Sequence, residues 1–374
     1  MLQDWDFDAE VESQIRSLVH DLVVMESPSG DASGIHRVME RLLPDLFTIP
    51  DITVSWHQES GFPLLDVSRG TRGALLLGHA DTVWAEGTLT TMPWYEDQDA
   101  GKIFGPGILD MKAGLAIAVF ALRGIGPTTP FRLLVTPDEE IGSRLSRGYI
   151  EASAKKASLV LVLESGMPEG GLKIARAGVG DFTCTVTGKE SHAGLEPGKG
   201  ASAVREMAQQ VMWLDTLENR ILGTTVNPGV ISGGTRSNVV AGQASLAIDV
   251  RVRTLGEMQR IENTLAHPPV FNPGTEVHYH GEFNRPPMEL GGSAHEWFRR
   301  AQETWQDHTA EPLEGRRVGG ASDGNFTAEI TPTLDGLGAV GAGPHARHEQ
   351  IEWRYMAPRV GLVRELVDRA GGTL

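Results

Sequence analysis

The sequence has a single cysteine, Cys184, among its 374 residues. An intrachain disulfide and a cysteine-based zinc site are therefore excluded, so a bound metal would need histidine and carboxylate ligands. Positive charge is also scarce: 33 Lys and Arg stand against 49 Asp and Glu, which gives a net charge of -16. This balance argues against a nucleic-acid partner or an anionic-membrane partner, although a local arginine cluster can still bind an anionic substrate.

Long apolar runs are missing as well. No segment is long and apolar enough to span a bilayer, and residues 1–6 are acidic rather than basic and then apolar, as a secretory signal would be. We therefore expect a cytoplasmic protein that does not bind membranes. A hydrophobic content of 40% and a charged content of 22% are ordinary for globular proteins, and the length allows two domains.

The first half of the chain alternates helical and strand patterns. Apolar residues at helical spacing predict helices over 8–25, 34–46 and 111–122. Continuous apolar runs predict strands over 73–77, 131–136 and 159–163, and the polar stretch 86–105 is interpreted as a loop. Continuous rather than alternating runs are typical of parallel strands covered by helices on both faces. The pattern therefore predicts an α/β domain with a mixed, mainly parallel sheet.

The pattern changes near residue 177. It predicts alternating strands and amphipathic helices in the order 181–187, 201–217, 225–232, 243–252, 257–265 and 276–280. This β-α-β-β-α-β order matches the split βαβ layout of an antiparallel sheet with two helices. From about residue 291 the α/β character resumes, with helices at 294–307 and 358–370 and a Gly-rich turn at 318–324. We expect one catalytic domain over 1–176 and 291–374, interrupted by an α+β domain over 177–290.

Histidines and acids stand where apolar strands or tight turns should end. They are His79, Asp110, Glu139, Glu140, Glu164 and His345. In an open α/β sheet, ligands bind at the carboxyl ends of the strands, so most of these side chains should converge there. Two imidazoles, several carboxylates and a spare base are what a two-metal hydrolytic centre needs.

Taken alone, two of these residues have plainer interpretations. His79, followed by Asp81, is either a loop histidine near an acid or a metal-bound imidazole whose far nitrogen bonds to a carboxylate. Asp110 is suited to cap the helix over 111–122, and capping is compatible with a bridge between two metals.

The remaining candidates also have alternatives. Residues 138–140 are either a solvated acidic run or, in a closed pocket, a ligand next to a general base. Glu164 ends an apolar strand, where an acid is rarely buried without a partner. His345 and His348 compete for the last ligand position, and we prefer His345 because the small residues before it give close backbone access.

Three motifs resemble those of the co-catalytic zinc aminoacylase and carboxypeptidase family. They lie at 78–83 (GHADTV), 105–114 (GPGILDMKAG) and 138–143 (DEEIGS), and the resemblance spans nearly the whole chain. The pattern looks closest to the folate-cleaving glutamate carboxypeptidases. Acetylornithine deacetylases and succinyl-diaminopimelate desuccinylases are relatives within this family.

The resemblance implies two zinc ions per chain, with five ligands: His79, Asp110, Glu140, Glu164 and His345. Asp110 would bridge the ions, with His79 and Glu164 on one ion and Glu140 and His345 on the other. Glu139 would be the general base, and Asp81 the partner of His79. Co²⁺ or Mn²⁺ would fit the same ligands.

The inserted domain resembles the family's dimerisation, or lid, domain. His192 would stabilise the oxyanion in the partner subunit of a homodimer, and Asn238 and Arg251 would contact the scissile carbonyl and the terminal carboxylate. Arg285 is a weaker match to a second carboxylate-binding arginine, and 319–323 resembles a Gly-rich turn that lines the pocket. The expected reaction releases a C-terminal amino acid, glutamate by resemblance, from an N-acyl amino acid or short peptide. N-acyl-amino-acid deacylation and dipeptide cleavage are the alternatives, and a non-catalytic scaffold relative is a distant one.

Overall fold

A computed structural model describes residues 6–372. The helices are α1 Ala9–Val24, α2 Ala32–Leu46, α3 Ala113–Arg123, α4 Arg147–Ala154, α5 Ala203–Asp215, α6 Leu255–Leu265, α7 Ser293–Thr309, α8 Gly324–Thr327 and α9 Met356–Ala370. The strands are β1 Thr53–Glu59, β2 Phe62–Arg69, β3 Ala74–His79, β4 Tyr95–Asp97, β5 Lys102–Phe104, β6 Phe131–Thr136, β7 Leu159–Val162, β8 Leu172–Arg176, β9 Gly178–Thr187, β10 Thr225–Gly233, β11 Gln243–Val252, β12 Glu276–Arg285, β13 Met288–Glu289, β14 Gly315–Val318, β15 Thr333–Asp335, β16 Gly341–Ala342 and β17 Gln350–Glu352.

The chain forms two compact units. The first consists of Met1–Ala175, Glu289–Arg317 and Ser322–Leu374, and the second of Arg176–Met288 and Val318–Ala321. The sequence pattern predicts boundaries at 177 and 290, and the second unit runs from Arg176 to Met288 and also includes the segment 318–321.

The first unit is built on a nine-stranded sheet in the order β1-β2-β6-β3-β7-β15-β8-β13, with β14 beside β8. Strand β3 runs parallel to both β6 and β7, and β15 runs parallel to β7, whereas β1 and β2 form an antiparallel hairpin at one side. The strands β16, β17, β5 and β4 form a small antiparallel sheet of their own. The predicted fold class, a mainly parallel sheet flanked by helices, is confirmed.

Side chains of β3 are buried on both faces of the sheet. Leu76 belongs to the large cluster that contains most of α3, while Leu75 and Leu77 belong to a second cluster with residues of α4. Helix α3 packs closely enough on the sheet that a Cβ on Gly114 would lie 2.4 Å from the carbonyl oxygen of Leu163. The ends of β3 and β7 are therefore fixed by a tightly packed interior.

The second unit is an antiparallel sheet in the order β10-β11-β9-β12. Alternate residues of these strands, among them Cys184, Leu246 and Ile248, pack against residues of α5 and α6 such as Met207 and Ile261. The predicted β-α-β-β-α-β order is confirmed. Cys184 is a free, buried cysteine.

Several elements differ from their predictions. The hairpin of β1 and β2 had no prediction, and the expected loop over 86–105 contains both β4 and β5. Helix α3 begins at Ala113, and Asp110 has extended torsions (φ −121°, ψ 89°) without a capping hydrogen bond, so the prediction that Asp110 caps this helix is wrong. Across residues 6–372, no helix has both the length and the apolarity to cross a membrane. The acidic segment discussed above lies mostly in residues 1–5, outside the described part of the chain.

Candidate metal centre

The residues that end or follow three neighbouring parallel strands lie at one edge of the sheet. β3 ends at His79, β6 is followed by Glu139 and Glu140, and β7 is followed within two residues by Glu164. Because β3 lies between β6 and β7, the three carboxyl ends are adjacent. The predicted convergence at this edge is therefore present in the first unit.

Asp110 and His345 reach the same place from turns. Asp110 lies in the turn over 108–112 that precedes α3, and His345 has a left-handed backbone (φ 59°) after β16. One carboxylate oxygen of Asp110, Oδ1, is 3.2 Å from His79 Nε2, and the other, Oδ2, is 3.2 Å from His345 Nε2. The two oxygens of one acid thus face two different imidazoles.

Two groups of donor atoms surround Asp110. In the first group, Glu164 Oε1 lies 3.7 Å from His79 Nε2. In the second group, Glu140 Oε2 lies 3.2 Å from His345 Nε2. Asp110 belongs to both, so we define the first metal group as His79, Asp110 and Glu164, and the second as Asp110, Glu140 and His345.

These separations fit divalent cations. Tetrahedral Zn²⁺ has bonds of about 2.0–2.1 Å to N and O ligands, which places neighbouring ligand atoms about 3.3 Å apart. Candidate ligand atoms of His79, Asp110 and Glu140 all lie within 4.8 Å of one another. Those of His79, Glu139 and Glu164 do so too, so the predicted base also lies within reach of the first metal group.

The electrostatics of the site favour bound cations. Burial lowers the pKa of His79, but hydrogen bonds with Asp110 and Asp81 outweigh it and raise that pKa well above its usual value. Hydrogen bonds with Asp110 and then Glu140 raise the pKa of His345 to about 10. Burial raises the pKa of Asp110, but the two imidazoles together hold that pKa below its usual range. The carboxylates thus stabilise positive charge between them, which divalent ions supply.

Asp81 organises the site in a way that sequence spacing only partly suggests. His79 Nδ1 is 2.9 Å from the backbone carbonyl oxygen of Asp81 and 3.3 Å from its carboxylate Oδ1. The carboxylate also accepts hydrogen bonds from the backbone N–H groups of Glu139 (3.1 Å) and Glu140 (3.3 Å) and from Ser29 Oγ (2.7 Å). Asp81 therefore holds the acidic turn after β6 as well as the ring of His79.

Asp323, from the predicted Gly-rich turn, supports the same acidic turn. Its carboxylate accepts hydrogen bonds from Ser143 Oγ and from Thr136 Oγ1, which lie on either side of Glu139 and Glu140 along the chain. Of the two competing histidines, His345 is the one that contacts Asp110 and Glu140.

Glu349, a buried acid beside the site, had no prediction from the sequence. Its side chain accepts hydrogen bonds from the backbone N–H groups of Gly107, Leu109 and Asp110. The signal available in the sequence was its position four residues after His345, but its partners lie about 240 residues away along the chain.

The other predicted site residues belong to the second unit. His192 is exposed, and its Nδ1 accepts hydrogen bonds from the N–H groups of Gly194 and Leu195, which leaves the proton on Nε2. Asn238 is also exposed, and its backbone carbonyl oxygen accepts a hydrogen bond from the N–H of Ala193, next to His192.

The two arginines flank one residue of β9. Arg251 on β11 and Arg285 on β12 are both in register with Val179. Arg285 is buried, whereas Arg251 donates through Nε and Nη2 to the carboxylate of Asp249 at 2.8–3.1 Å. One edge of the Arg251 guanidinium is therefore already engaged within the protein.

Comparison with known proteins places the chain in a group of hydrolases. The profile of peptidase family M20/M25/M40 matches residues 75–369. Carboxypeptidase G2 from Pseudomonas sp. (strain RS-16) is 27% identical over 379 residues, which covers 96% of this chain and 91% of that protein. Acetylornithine deacetylase from Proteus mirabilis (strain HI4320) is 31% identical over 205 residues, which covers 50% of this chain and 52% of that protein.

Solved structures share the fold at low identity. Aminopeptidase PepT from Bacillus cereus ATCC 10987 has a TM-score of 0.76 at 20% identity, covering 96% of this chain and 98% of its own. A Bacillus subtilis protein described as a dinuclear metal-binding peptidase of the M20 family has a TM-score of 0.70 at 14% identity, covering 98% and 100%. At these identities the likenesses establish the fold alone.

Proposed function

The chain belongs to peptidase family M20/M25/M40 and is a metal-dependent hydrolase, and from that premise we propose that it releases a C-terminal amino acid, glutamate, from an N-acyl or peptidyl substrate. The family match confirms the resemblance seen in the sequence motifs. The support for C-terminal release is the similarity to a carboxypeptidase over nearly the full length of both chains.

The observation that carries the proposal is the pair of donor groups that share Asp110. Each carboxylate oxygen of Asp110 lies 3.2 Å from the Nε2 atom of a different histidine. We propose that the first and second metal groups each hold one zinc ion; Co²⁺ or Mn²⁺ suits the same donors. When bound, such ions polarise a carbonyl and lower the pKa of water so that it attacks near neutral pH.

Glu139 is proposed as the general base. Its carboxylate lies beside His79 and Glu164, and its backbone N–H is held by Asp81. In the proposed reaction, Glu139 accepts the proton of the attacking water and returns it to the nitrogen of the leaving amine. General acid–base catalysis of this kind contributes about 10²- to 10⁴-fold in rate.

The second unit is proposed to recognise the substrate. His192 carries its proton on Nε2 and is exposed, so it can donate to a developing oxyanion, as the family resemblance implies. Asn238, adjacent to it, would contact the scissile carbonyl. Arg251 and Arg285 stand on strands that flank β9, about 10 Å apart by strand spacing, and would bind the substrate's carboxylates.

We also propose a homodimer in which His192 acts in the partner subunit's site. The support in this chain is the edge strand β10, where Val230 and Ile231 are 69% and 60% exposed. An exposed edge with apolar side chains is suited to pair with a second strand. Cytoplasmic location stays a prediction.

A deacylase is the second candidate, because acetylornithine deacetylase is similar over half of this chain. Dipeptidase activity is a third. All three reactions use the same metal groups and base, so the amine and acyl portions of the substrate distinguish them. The discriminating test measures amine release by the zinc-loaded protein, with and without chelator, from N-acyl glutamates of folate and simpler type, N-acetylornithine, N-succinyl-diaminopimelate and dipeptides.

Chelator-sensitive release of C-terminal glutamate is the expected result. Release from another substrate alone would reassign the specificity and keep the hydrolytic centre. Glu139→Gln should retain its metal and lose at least 10²-fold in kcat. A metal-loaded Glu139→Gln variant with wild-type kcat would refute the assignment of the base.

Subunit mixing tests the shared site. His192→Ala and Glu139→Gln are each expected to be nearly inactive, and a mixture refolded together should regain part of the activity through hybrid dimers. A mixture that stays as inactive as its components, in a preparation shown to contain hybrid dimers, would refute the partner role of His192.

A further inference from the structure

Glu349 is fully buried, and the proposed reaction gives it no role. Its Oε1 accepts hydrogen bonds from the N–H groups of Leu109 (2.9 Å) and Asp110 (3.1 Å). Its Oε2 accepts from the N–H of Gly107 (2.9 Å) and from Trp84 Nε1 (2.8 Å). Each oxygen thus has two donors, which satisfies the carboxylate and offsets the cost of burying its charge.

Three of the four donors, the N–H groups of Gly107, Leu109 and Asp110, belong to the segment that carries the shared ligand Asp110. Gly107 has a left-handed backbone (φ 71°), and the N–H groups of the turn converge on one carboxylate, as in the backbone concavities that bind anions. Asp110 itself has non-helical torsions and precedes the first residue of α3. Glu349 therefore satisfies N–H groups ahead of α3 that have no acceptor within the helix.

The main chain of Glu349 holds the segment of the other ligand. Its N–H donates to the carbonyl oxygen of Ala346 (2.9 Å), the residue after His345, and its carbonyl oxygen accepts from the N–H of Gly105 (3.3 Å). Side chain and backbone of one residue thus connect the turn of Asp110 with the turn of His345.

We propose that Glu349 is a positioning residue that sets the separation of Asp110 and His345 and thereby the affinity of the second metal group. The proposal rests on the proposed function only in taking these groups as metal sites. The first metal group also uses Asp110, but its other two ligands are fixed by buried core strands, because His79 ends β3 and Glu164 follows β7. Loss of the Glu349 carboxylate should therefore weaken the second ion more than the first.

The test is calorimetric titration of the metal-free protein with Zn²⁺, with Glu349→Gln as the variant. The amide keeps the size of the side chain, but its nitrogen cannot accept a hydrogen bond, so the two donors that face it lose their partner, either Gly107 and Trp84 or Leu109 and Asp110. We expect the second ion to bind about 10- to 100-fold more weakly, as for other groups that orient metal ligands, and the first within about threefold of wild type.

Glu206→Gln is the matched control. Glu206 is equally buried, and its carboxylate accepts from the N–H groups of Phe271 and Asn272 and from Gln210, all within the second unit. The Glu206→Gln substitution should lower the melting temperature as Glu349→Gln does, but it should leave the affinities for both zinc ions unchanged. Equal weakening by both variants would show a general effect of destabilisation and overturn the proposal.

Glu349→Asp provides a second variant if the glutamine variant does not fold. It keeps the charge but withdraws the carboxylate by one methylene, so a smaller loss of second-ion affinity is expected. Wild-type affinity for both ions in either folded variant overturns the proposal. If wild type binds two ions and cleaves none of the substrates above, the proposed function fails while this test still decides the role of Glu349.

Discussion

Replacing Gly114 by alanine tests the contact that fixes the end of β7. The added Cβ would lie 2.4 Å from the carbonyl oxygen of Leu163 and 3.5 Å from its Cβ. Ordinary contact distances are about 3.5 Å, so α3 and the strand end must separate by about 1 Å. Overpacking of this kind lowers the free energy of unfolding by about 1–3 kcal/mol. The better helix propensity of alanine offsets up to about 1 kcal/mol of this loss.

The net expectation is a loss of about 1–2 kcal/mol in the free energy of unfolding, measured by denaturant titration. Because Leu163 immediately precedes Glu164, the shift should also weaken binding of the first zinc ion, measured by calorimetry. Shifts near 0.5 Å already impair a designed site, so we expect at least a severalfold loss of affinity.

Gly148→Ala is the matched control for this prediction. Gly148 lies in α4 and is exposed, and a Cβ there would meet nothing within 4 Å. The free energy of unfolding of that variant should rise by about 0.5–1 kcal/mol because alanine has the better helix propensity, and its metal binding should be unchanged. A Gly114→Ala protein as stable as Gly148→Ala, or one with wild-type zinc affinity, would refute the reasoning.

Three further predictions follow from the contacts described. Removal of the metals by chelator should lower the melting temperature, with loss of one ion before the other, and added zinc should restore it. Ser29→Ala removes a 2.7 Å hydrogen bond to Asp81 and should reduce kcat severalfold with both ions retained, as steady-state kinetics and metal analysis would show. A hydrogen bond from Arg260 lowers the pKa of Glu257 in the folded protein. The stability that this carboxylate provides is therefore fully present above its unfolded-state pKa of about 4.3, and it is lost as the pH falls through the lower pKa of the folded state. The difference in unfolding free energy between wild type and Glu257→Gln should therefore shrink between pH 7 and pH 3, and a constant difference would contradict this.

The strand ends were predictable because each one combines two signals. The apolar run over 131–136 coincides with β6, and the acids that follow it cannot continue a buried strand. The same reasoning places His79 after Leu77 and Glu164 after Leu163. Parallel topology then brings these ends to one edge without further information.

Other features depend on contacts that the sequence pattern does not encode. Asp110 was predicted as a helix cap because aspartate suits that position, but its turn is held by Glu349 from about 240 residues away. Short strands such as β4 and β16 contain two or three residues, too few to display a period. The hairpin of β1 and β2 went unpredicted although β2 is mostly buried, because Pro63 and Asp66 interrupt its apolar run.

The two metal groups differ in what holds their ligands. His79 is the last residue of β3 and Glu164 follows β7, and the side chains of both strands are wholly buried, so moving these ligands requires opening the core. Asp110 and His345 lie in turns, and His345 keeps 51% of its side chain exposed, so their geometry depends on a few hydrogen bonds, chiefly those of Glu349. Less free energy is therefore needed to deform the second metal group than the first. Stepwise loss of the ions under mild chelation follows from this difference, because Asp110 can leave His345 without disturbing the strands that carry the first group.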